Sequence, residues 1–395
     1  MLIVYNAIFA ISLILFLPFI LIKSLTDKRL RYRIIDRFWP KTIKKEDYIL
    51  FHVSSFGEAK TILNIKDYFE KSLNRDIVFS VFTDTAHKFL NKEHAVLSPI
   101  DLYPLYFKMF RHPPKMALFF ETEIWPSYIH FLKKRGVKLV LINARMSRST
   151  YKTFKRFRFL FGTAIRQFDL VMAKSVTDSK KFKQFNPNTI VCGNIKQFKE
   201  RRTAKSNTKS QFLIDSDKPI LVLASFHIEE FDLAVRITSA LSDVFFIVIA
   251  PRHLEDVQDL ERELKKRGID FTKRTAKQKP KDVLILDSMG ELEDVYSISK
   301  ACIIGGSFNE KLKGHNPIEP LVYNNFTICG PYMESFEEEL NQLKALKLIE
   351  QVSSLDEILR ALRKPRDVDA SPYFKNLEYI LNCYIINTKN ILTKN

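Results

Sequence analysis

Short uninterrupted apolar runs alternate along the chain with amphipathic segments, in two successive series. The first comprises YILFHV (48–53), DIVFSVFT (76–83), KMALFFET (115–122), KLVLINA (138–144), DLVMAKS (169–175) and TIVCGN (189–194), separated by stretches such as SYIHFLKKRG. Runs apolar on both faces and rich in β-branched and aromatic residues, alternating with helical patterns, predict a parallel sheet covered by helices on each side. The second series, PILVLAS (219–225), VFFIVIAP (244–251), VLILDS (283–288), ACIIGGS (301–307) and FTICGP (326–331), predicts another. Between them KQFKERRTAKSNTKSQ (196–211) is polar and basic, with Phe198 as its one long apolar side chain, and has the character of a linker. The fold expected is α/β, with two Rossmann-like doubly wound domains. The first spans 24–200 and the second 212–370, joined by a linker at 201–211, and a C-terminal helix at 371–395 can pack back on the first domain. In such sheets ligands lie outside the carboxyl ends of the strands, here expected to face an interdomain cleft.

The N-terminus departs from this alternation. Residues 2–22, LIVYNAIFAISLILFLPFILI, form a 21-residue stretch without a charge, enough to cross a bilayer as one helix. It lacks the basic start, the short apolar run and the small-residue cleavage site of a signal peptide, so 1–23 is expected to stay attached as a transmembrane anchor. Nine cations follow (Lys23, Lys28, Arg29, Arg31, Arg33, Arg37, Lys41, Lys44 and Lys45) against Asp27 and Asp36. The positive-inside rule then places the body in the cytoplasm, held near anionic lipid at the inner membrane. A buried core helix is the competing reading, and it needs a large enclosing core at the chain end.

Composition narrows the partners. The 395 residues carry a formal charge of +18, which favours an anionic partner: nucleic acid, an anionic membrane surface or a phosphorylated substrate. No zinc-finger spacing or aromatic RNP-like strand is present, so no nucleic-acid partner is expected. Cys192, Cys302, Cys329 and Cys383 are far apart, and three lie in or beside apolar runs, which favours reduced core thiols over disulfides. The eight histidines show no metal-ligand spacing, and no bound metal or cofactor is expected. Neither GxGxxG nor a P-loop occurs, and only 10 glycines exist, which disfavours a dinucleotide dehydrogenase or P-loop NTPase.

Polar residues gather where the apolar runs end. In the first domain these are Ser54, Ser55, Gly57 and Glu58; then Glu121, Thr122 and Glu123; then Asn143, Arg145, Ser147 and Arg148. Ser55 and Glu58 have the spacing of a capping box, so Glu58 is either a helix cap or a base. In the second domain Pro251, Arg252 and His253 end one run, Met289, Gly290 and Glu291 open a helical pattern, and Gly305, Gly306 and Ser307 end another. Amides at helix N-termini attract phosphate, and Arg252 offers a forked cation. Asn316, Pro317, Ile318 and Glu319 fit an N-cap, a first-turn proline and a capping-box glutamate, although an exposed Glu319 could instead accept two ribose hydroxyls.

The strings HVSSFGE, ETEIWP, INARMS, GNIK, APRH, MGEL, GGS and GHNPIEP, in that order across about Tyr48 to Glu338, resemble the 3-deoxy-D-manno-octulosonic acid (Kdo) transferases of lipopolysaccharide assembly. The resemblance implies a glycosyltransferase-B architecture. It also implies inverting transfer of Kdo from CMP-Kdo to the phosphorylated lipid A precursor (lipid IVA) without a metal. It makes Glu58 the proton acceptor and assigns transition-state roles to Glu121 or Glu123 and to Lys196, whose competing reading is a solvated linker charge. Nucleotide contacts fall on Pro251, Arg252, Met289, Gly290, Glu291, Asn316, Pro317, Ile318 and Glu319, and substrate contacts are expected at Ser54, Ser55, Gly57 and Arg145. The sequence departs from the family pattern at Lys313, where a glycine is usual, at Phe226 in place of threonine, and at Asp256 in place of arginine. A membrane-associated transferase of the same fold using a UDP-sugar, or a non-catalytic anionic-lipid-binding protein, are the alternatives.

Overall fold

The computed structural model describes residues 2–26, 33–90, 95–200 and 208–394, without the side chains at 17, 20, 21, 24 and 26. Lys28, Arg29 and Arg31 of the basic run, and 201–207 of the expected linker, lie outside the described residues. The chain forms two compact units, Met1–Phe198 with Leu377–Asn395, and Lys199–Asn376.

The first unit is built on a seven-stranded parallel sheet of β1 (Ile49–Val53), β2 (Ile77–Val81), β3 (Ala95–Leu97), β4 (Met116–Phe120), β5 (Lys138–Ala144), β6 (Leu170–Ala173) and β7 (Thr189–Val191), in the order 3-2-1-4-5-6-7. Strands β1, β2 and β4 are buried along their whole length, as continuous apolar runs require. The second unit repeats the plan with β8 (Ile220–Phe226), β9 (Phe246–Pro251), β10 (Thr272–Lys273), β11 (Val283–Ile285), β12 (Ala301–Ile304), β13 (Phe326–Cys329) and β14 (Ile349–Gln351), in the order 10-11-9-8-12-13-14. The edge strands β3, β10 and β14 escape the hydrophobic pattern because they have only two or three residues and one covered side.

Residues 208–211, expected as linker, form a helical turn, and Phe198 is buried against Tyr68 in the first unit. The C-terminal helix Ser371–Thr393 belongs to the first unit from Leu377 onward. There the Tyr384 hydroxyl donates to the Gly193 carbonyl at 2.7 Å. Gly193 has a φ of +104°, and a Cβ on it would sit 2.7 Å from Ile380 Cγ1. The contact corrects one expectation: Cys192 and Cys383 form a disulfide. Their separation of 191 residues hides the pairing from the sequence, because only the docking of the last helix brings the two together. Cys302 and Cys329 remain free and buried, and burial pushes both thiols upward in pKa.

The expectation of a membrane-crossing anchor at 1–23 finds no support. The segment is helical from Leu2 to Thr26, but its first turns dock on the body. Tyr5 donates to Asp101 Oδ2 at 3.0 Å, Asn6 donates to Ser127 Oγ at 2.9 Å, and the Tyr103 amide donates to Asn6 at 2.8 Å. With Tyr5 and Asn6 so engaged, the remaining uncharged stretch is 7–22, or 16 residues, short of the roughly 20 that span a bilayer. Among the described residues no helix is long and apolar enough to cross a membrane. Part of the basic run also serves the fold. Arg37 donates to the carbonyls of Ser98 and Phe82 and lies 4.8 Å from the Phe82 ring, and burial lowers its pKa to about 10. Lys45 pairs with Asp76 at 2.5 Å, and Arg33 pairs with Asp36.

Thiol titration of the unfolded chain is expected to find two reactive groups before reduction and four after it. Four before reduction would refute the Cys192–Cys383 pairing.

Candidate active site

Strand order reverses between β1 and β4, the position at which doubly wound sheets bind ligands. The parallel register sets His52 of β1 against Phe119 of β4, so the turns that follow, Ser54–Glu58 and Glu121–Glu123, emerge side by side. Ser55 caps the helix Phe56–Leu73, accepting from the Glu58 amide at 3.3 Å. The Glu58 carboxylate reaches back, accepting from the Ser54 amide and the Ser55 hydroxyl, each at 2.8 Å. The capping role expected for Glu58 is therefore real, displaced by one residue to the Ser54 amide. Both carboxylate oxygens keep a spare lone pair, and at 7% exposure the side chain is not sealed off from solvent. Burial raises its pKa; the hydrogen bonds from Ser54 and Ser55 oppose the rise, and the charges of Glu123 and Glu121 add to it. The pKa of a general base is brought toward neutrality by just these influences.

Glu123 is held on three sides. The Ser54 hydroxyl donates to its Oε2 at 2.5 Å and the Trp125 indole at 2.7 Å, while His52 Nε2 stands 3.6 Å away, an electrostatic contact rather than a formed hydrogen bond. Burial by itself would raise the Glu123 pKa, but His52, Ser54 and Trp125 together outweigh it and hold the carboxyl below its ordinary range. His52 is fully buried, and its Nδ1 lies 3.1 Å from Ser80 Oγ, which also accepts from the Tyr128 hydroxyl at 3.2 Å. Sequence reasoning passed over His52; its signal was a lone polar residue inside an apolar strand.

Glu121 turns the other way. Lys196 pairs with its Oε1 at 2.6 Å, so Lys196 is no solvated linker charge. Asn143 bridges the pair, donating to Glu121 at 3.4 Å and accepting from the Ile195 amide at 3.2 Å. Glu121 and Asn143 both adopt left-handed backbone, at φ 58° and 50°, a strain typical of functional turns and invisible in the sequence. Arg145 is exposed, and its guanidinium has no ion-pair partner among the described residues; its carbonyl accepts from Thr122 at 2.5 Å. Gly57 is exposed, and a Cβ there would meet open space.

In the second unit the polar ends of β8, β9 and β12 lie around the equivalent reversal of strand order, between β8 and β12. Pro251 closes β9 in register with Phe226 of β8, and the Arg252 amide donates to the Phe226 carbonyl at 2.8 Å. The Arg252 side chain is exposed, with no ion-pair partner among the described residues. Met289 is 81% exposed and Gly290 has a φ of +84°. Glu291 is engaged by Arg274 at 2.9 Å and by Ser288; burial opposes ionisation, but these partners hold its pKa below the usual range. Asn316 Oδ1 accepts from the Ile318 amide at 2.9 Å and its amide group donates to Glu319 at 3.2 Å, while Lys199 pairs with Glu319 at 2.8 Å. Glu319 thus keeps only part of the hydroxyl-accepting capacity expected of it.

The helices expected to offer phosphate-binding N-termini correct another expectation. Leu292–Tyr296 and Ile318–Leu321 have five and four residues, too few peptide units for a substantial dipole. The helix boundary also falls one residue late, with Pro317 in the cap position rather than the first turn. Of the three departures, Lys313 has a φ of 60°, which explains why glycine suits that position. Phe226 is buried on β8, and Asp256 ends the short turn Leu254–Asp256.

Residues 28–199 match the protein family described as 3-Deoxy-D-manno-octulosonic-acid transferase (kdotransferase). A 3-deoxy-D-manno-octulosonic acid transferase of Haemophilus influenzae is 28% identical over 90% of this chain and 88% of its own. Over that stretch, and over most of its length by comparison with this relative, the chain is similar to Kdo transferases. A bifunctional glycosyltransferase/methyltransferase of Fusobacterium nucleatum subsp. nucleatum is 24% identical over 99% of this chain, which spans 64% of that relative's length. The fold resembles the crystal structure of a glycosyltransferase from Rickettsia africae, with a TM-score of 0.51 at 14% identity, covering 89% of this chain and all of that one. The two parallel-sheet α/β domains thus resemble glycosyltransferases of the B type in fold.

Because the Glu58 pKa is raised, stability linked to its neutral form is complete below the ordinary carboxyl pKa and is lost as pH rises through the raised value. Glu58→Gln stays neutral and keeps an acceptor for the Ser54 amide. Its melting temperature is expected to gain on wild type as pH rises from about 4 to 8. A difference independent of pH would contradict the raised pKa.

Proposed function

We propose that the chain transfers Kdo from CMP-Kdo to a phosphorylated lipid A precursor, inverting the donor's anomeric configuration. The reading is carried by one observation: a capped, buried carboxylate of raised pKa, Glu58, shares a sheet edge with the Glu121–Lys196 ion pair. Glu58 takes the proton of the acceptor hydroxyl, and that oxygen bonds to C2 of Kdo from the face opposite the nucleotide. The bond from C2 to the phosphate oxygen breaks, and CMP departs with its electron pair. Lys196 offsets negative charge that grows in the transition state, Arg252 is the phosphate-binding cation of the second unit, and the scheme needs no bound metal. Glu121 orients Lys196, and Glu123 fixes Ser54 and through it the turn that aims Glu58. Similarity to Kdo transferases supports the donor sugar, and the exposed Arg252, without an ion-pair partner among the described residues, supports an anionic leaving group.

Replacing Lys196 by alanine is expected to lower turnover about a hundredfold, and Glu58→Gln at least as much, with the fold retained. Competition should rank CMP above UMP and UDP as an inhibitor; the reverse order would favour a UDP-sugar donor. A Kdo-free lipid product, or full turnover by Glu58→Gln, would overturn the proposal.

The body is proposed to work at the cytoplasmic face of the inner membrane, with the exposed Ile8, Ile11, Ile14, Leu15 and Phe19 of the N-terminal helix against anionic lipid. In flotation with phosphatidylglycerol vesicles the full chain should rise with the lipid, and a variant with those five positions changed to serine should stay below. Equal flotation would remove this helix from the membrane contact.

A further inference from the structure

The second sheet carries a pair of imidazoles to which no role has been given above, one of them in the GHNPIEP string. His227 follows β8 directly, at the reversal of strand order, and its Nε2 lies 2.7 Å from Nε2 of His315. The rings are within 10° of parallel with centroids 5.0 Å apart. Nitrogens so close with centroids so far apart mean rings meeting end to end, not face to face. One Nε2 must therefore carry a hydrogen and the other a lone pair. A neutral pair then has one more hydrogen, on the outer nitrogen of the accepting ring, and a lone pair on the outer nitrogen of the donating ring, which in His227 faces the Glu230 amide. One added proton turns both outer nitrogens into donors.

The surroundings favour an anion at those outer edges. Arg252, exposed and unpaired among the described residues, follows the neighbouring strand β9, and the His253 ring stands edge-on to His227 at 5.4 Å. Glu230 is close but consumed by backbone donors: the amides of Gly306 at 2.6 Å, Phe308 at 3.0 Å and His227 at 3.2 Å. These bonds fix the His227 turn against the loop after β12. The same loop backs His315, since a Cβ on Gly306 would lie 2.7 Å from His315 Cδ2. The groups that bear on the pair are Glu229, Glu230, Arg252 and His253; for His315 burial comes first, then His227, Arg252 and His253, and they lower its pKa to about 4. Burial above all, with the charge of Arg252 adding to it, favours the neutral form of the empty pair, and a dianion arriving beside Arg252 offsets that charge.

We propose that His227 and His315 form a proton-taking clamp for the phosphate of the nucleotide donor, neutral when empty and singly protonated when phosphate is bound beside Arg252. The proposal rests on the donor reading given above and adds the group that the second unit recognises there. The proton comes from solvent, and no bond of the ligand is broken by binding.

Calorimetry of CMP binding to the full chain tests it, at pH 8 in buffers of different ionisation enthalpy. There the phosphate, with a second pKa of about 6, is already dianionic. Wild type should take up close to one proton per CMP, and none with cytidine. His315→Gln and His227→Gln should abolish the uptake and weaken CMP binding by at least about tenfold while leaving cytidine binding unchanged. Nitrogen NMR of wild-type imidazoles gives a readout free of any folding defect: two histidines should pass from neutral to shared-proton signals when CMP is added. CMP binding with no proton uptake and unchanged imidazole signals overturns the clamp while the donor reading stands. No CMP binding by wild type ends both.

Discussion

The constraint on which the first unit depends is the parallel register of β1 against β4. Setting His52 opposite Phe119 delivers two turns with three carboxylates, Glu58, Glu121 and Glu123, to one stretch of sheet edge. Burial raises the pKa of Glu58, and the like charges of Glu123 and Glu121 add to it. Each carboxylate is answered differently. Glu121 has the Lys196 ammonium, Glu123 has His52, Ser54 and Trp125, and Glu58 has only neutral donors from Ser54 and Ser55. Glu58, answered by neutral donors alone, keeps a raised pKa, whereas that of Glu123 is lowered, a divergence reached without any change of residue type.

The second unit uses the same fold for the opposite electrostatics. Around its own reversal of strand order stand the exposed Arg252 and His253 and the half-buried His227 and His315, and three acidic groups nearby are committed: Glu230 to backbone amides, Glu291 to Arg274 and Glu319 to Lys199 and Asn316. Sheets that are alike in strand order thus present acceptors in one case and donors in the other.

Packing at the chain ends shows how far local pattern reaches. The apolar N-terminal run forms the helix its composition favours, but two polar residues in its first turns, Tyr5 and Asn6, find partners in Asp101, Ser127 and Tyr103 and shorten the run left for lipid. At the other end, Tyr384 and Cys383 fasten the last helix beside Gly193 and Cys192. In both cases a side chain that reads as unremarkable in its own segment gains its role from a segment far away in the chain.

By itself the sequence determined the two parallel sheets, because strands buried on both faces must be continuously apolar, and it determined the turns that carry the polar residues, including the Ser55–Glu58 cap. Only the tertiary structure decided which carboxylate faces a cation, that Lys196 pairs with Glu121, that Cys192 meets Cys383, and that His227 meets His315. The reason is physical: periodicity and capping act over a few residues and leave a local imprint. Ion pairs, disulfides and imidazole contacts are set instead by the distance between strand ends, which no short stretch of sequence records.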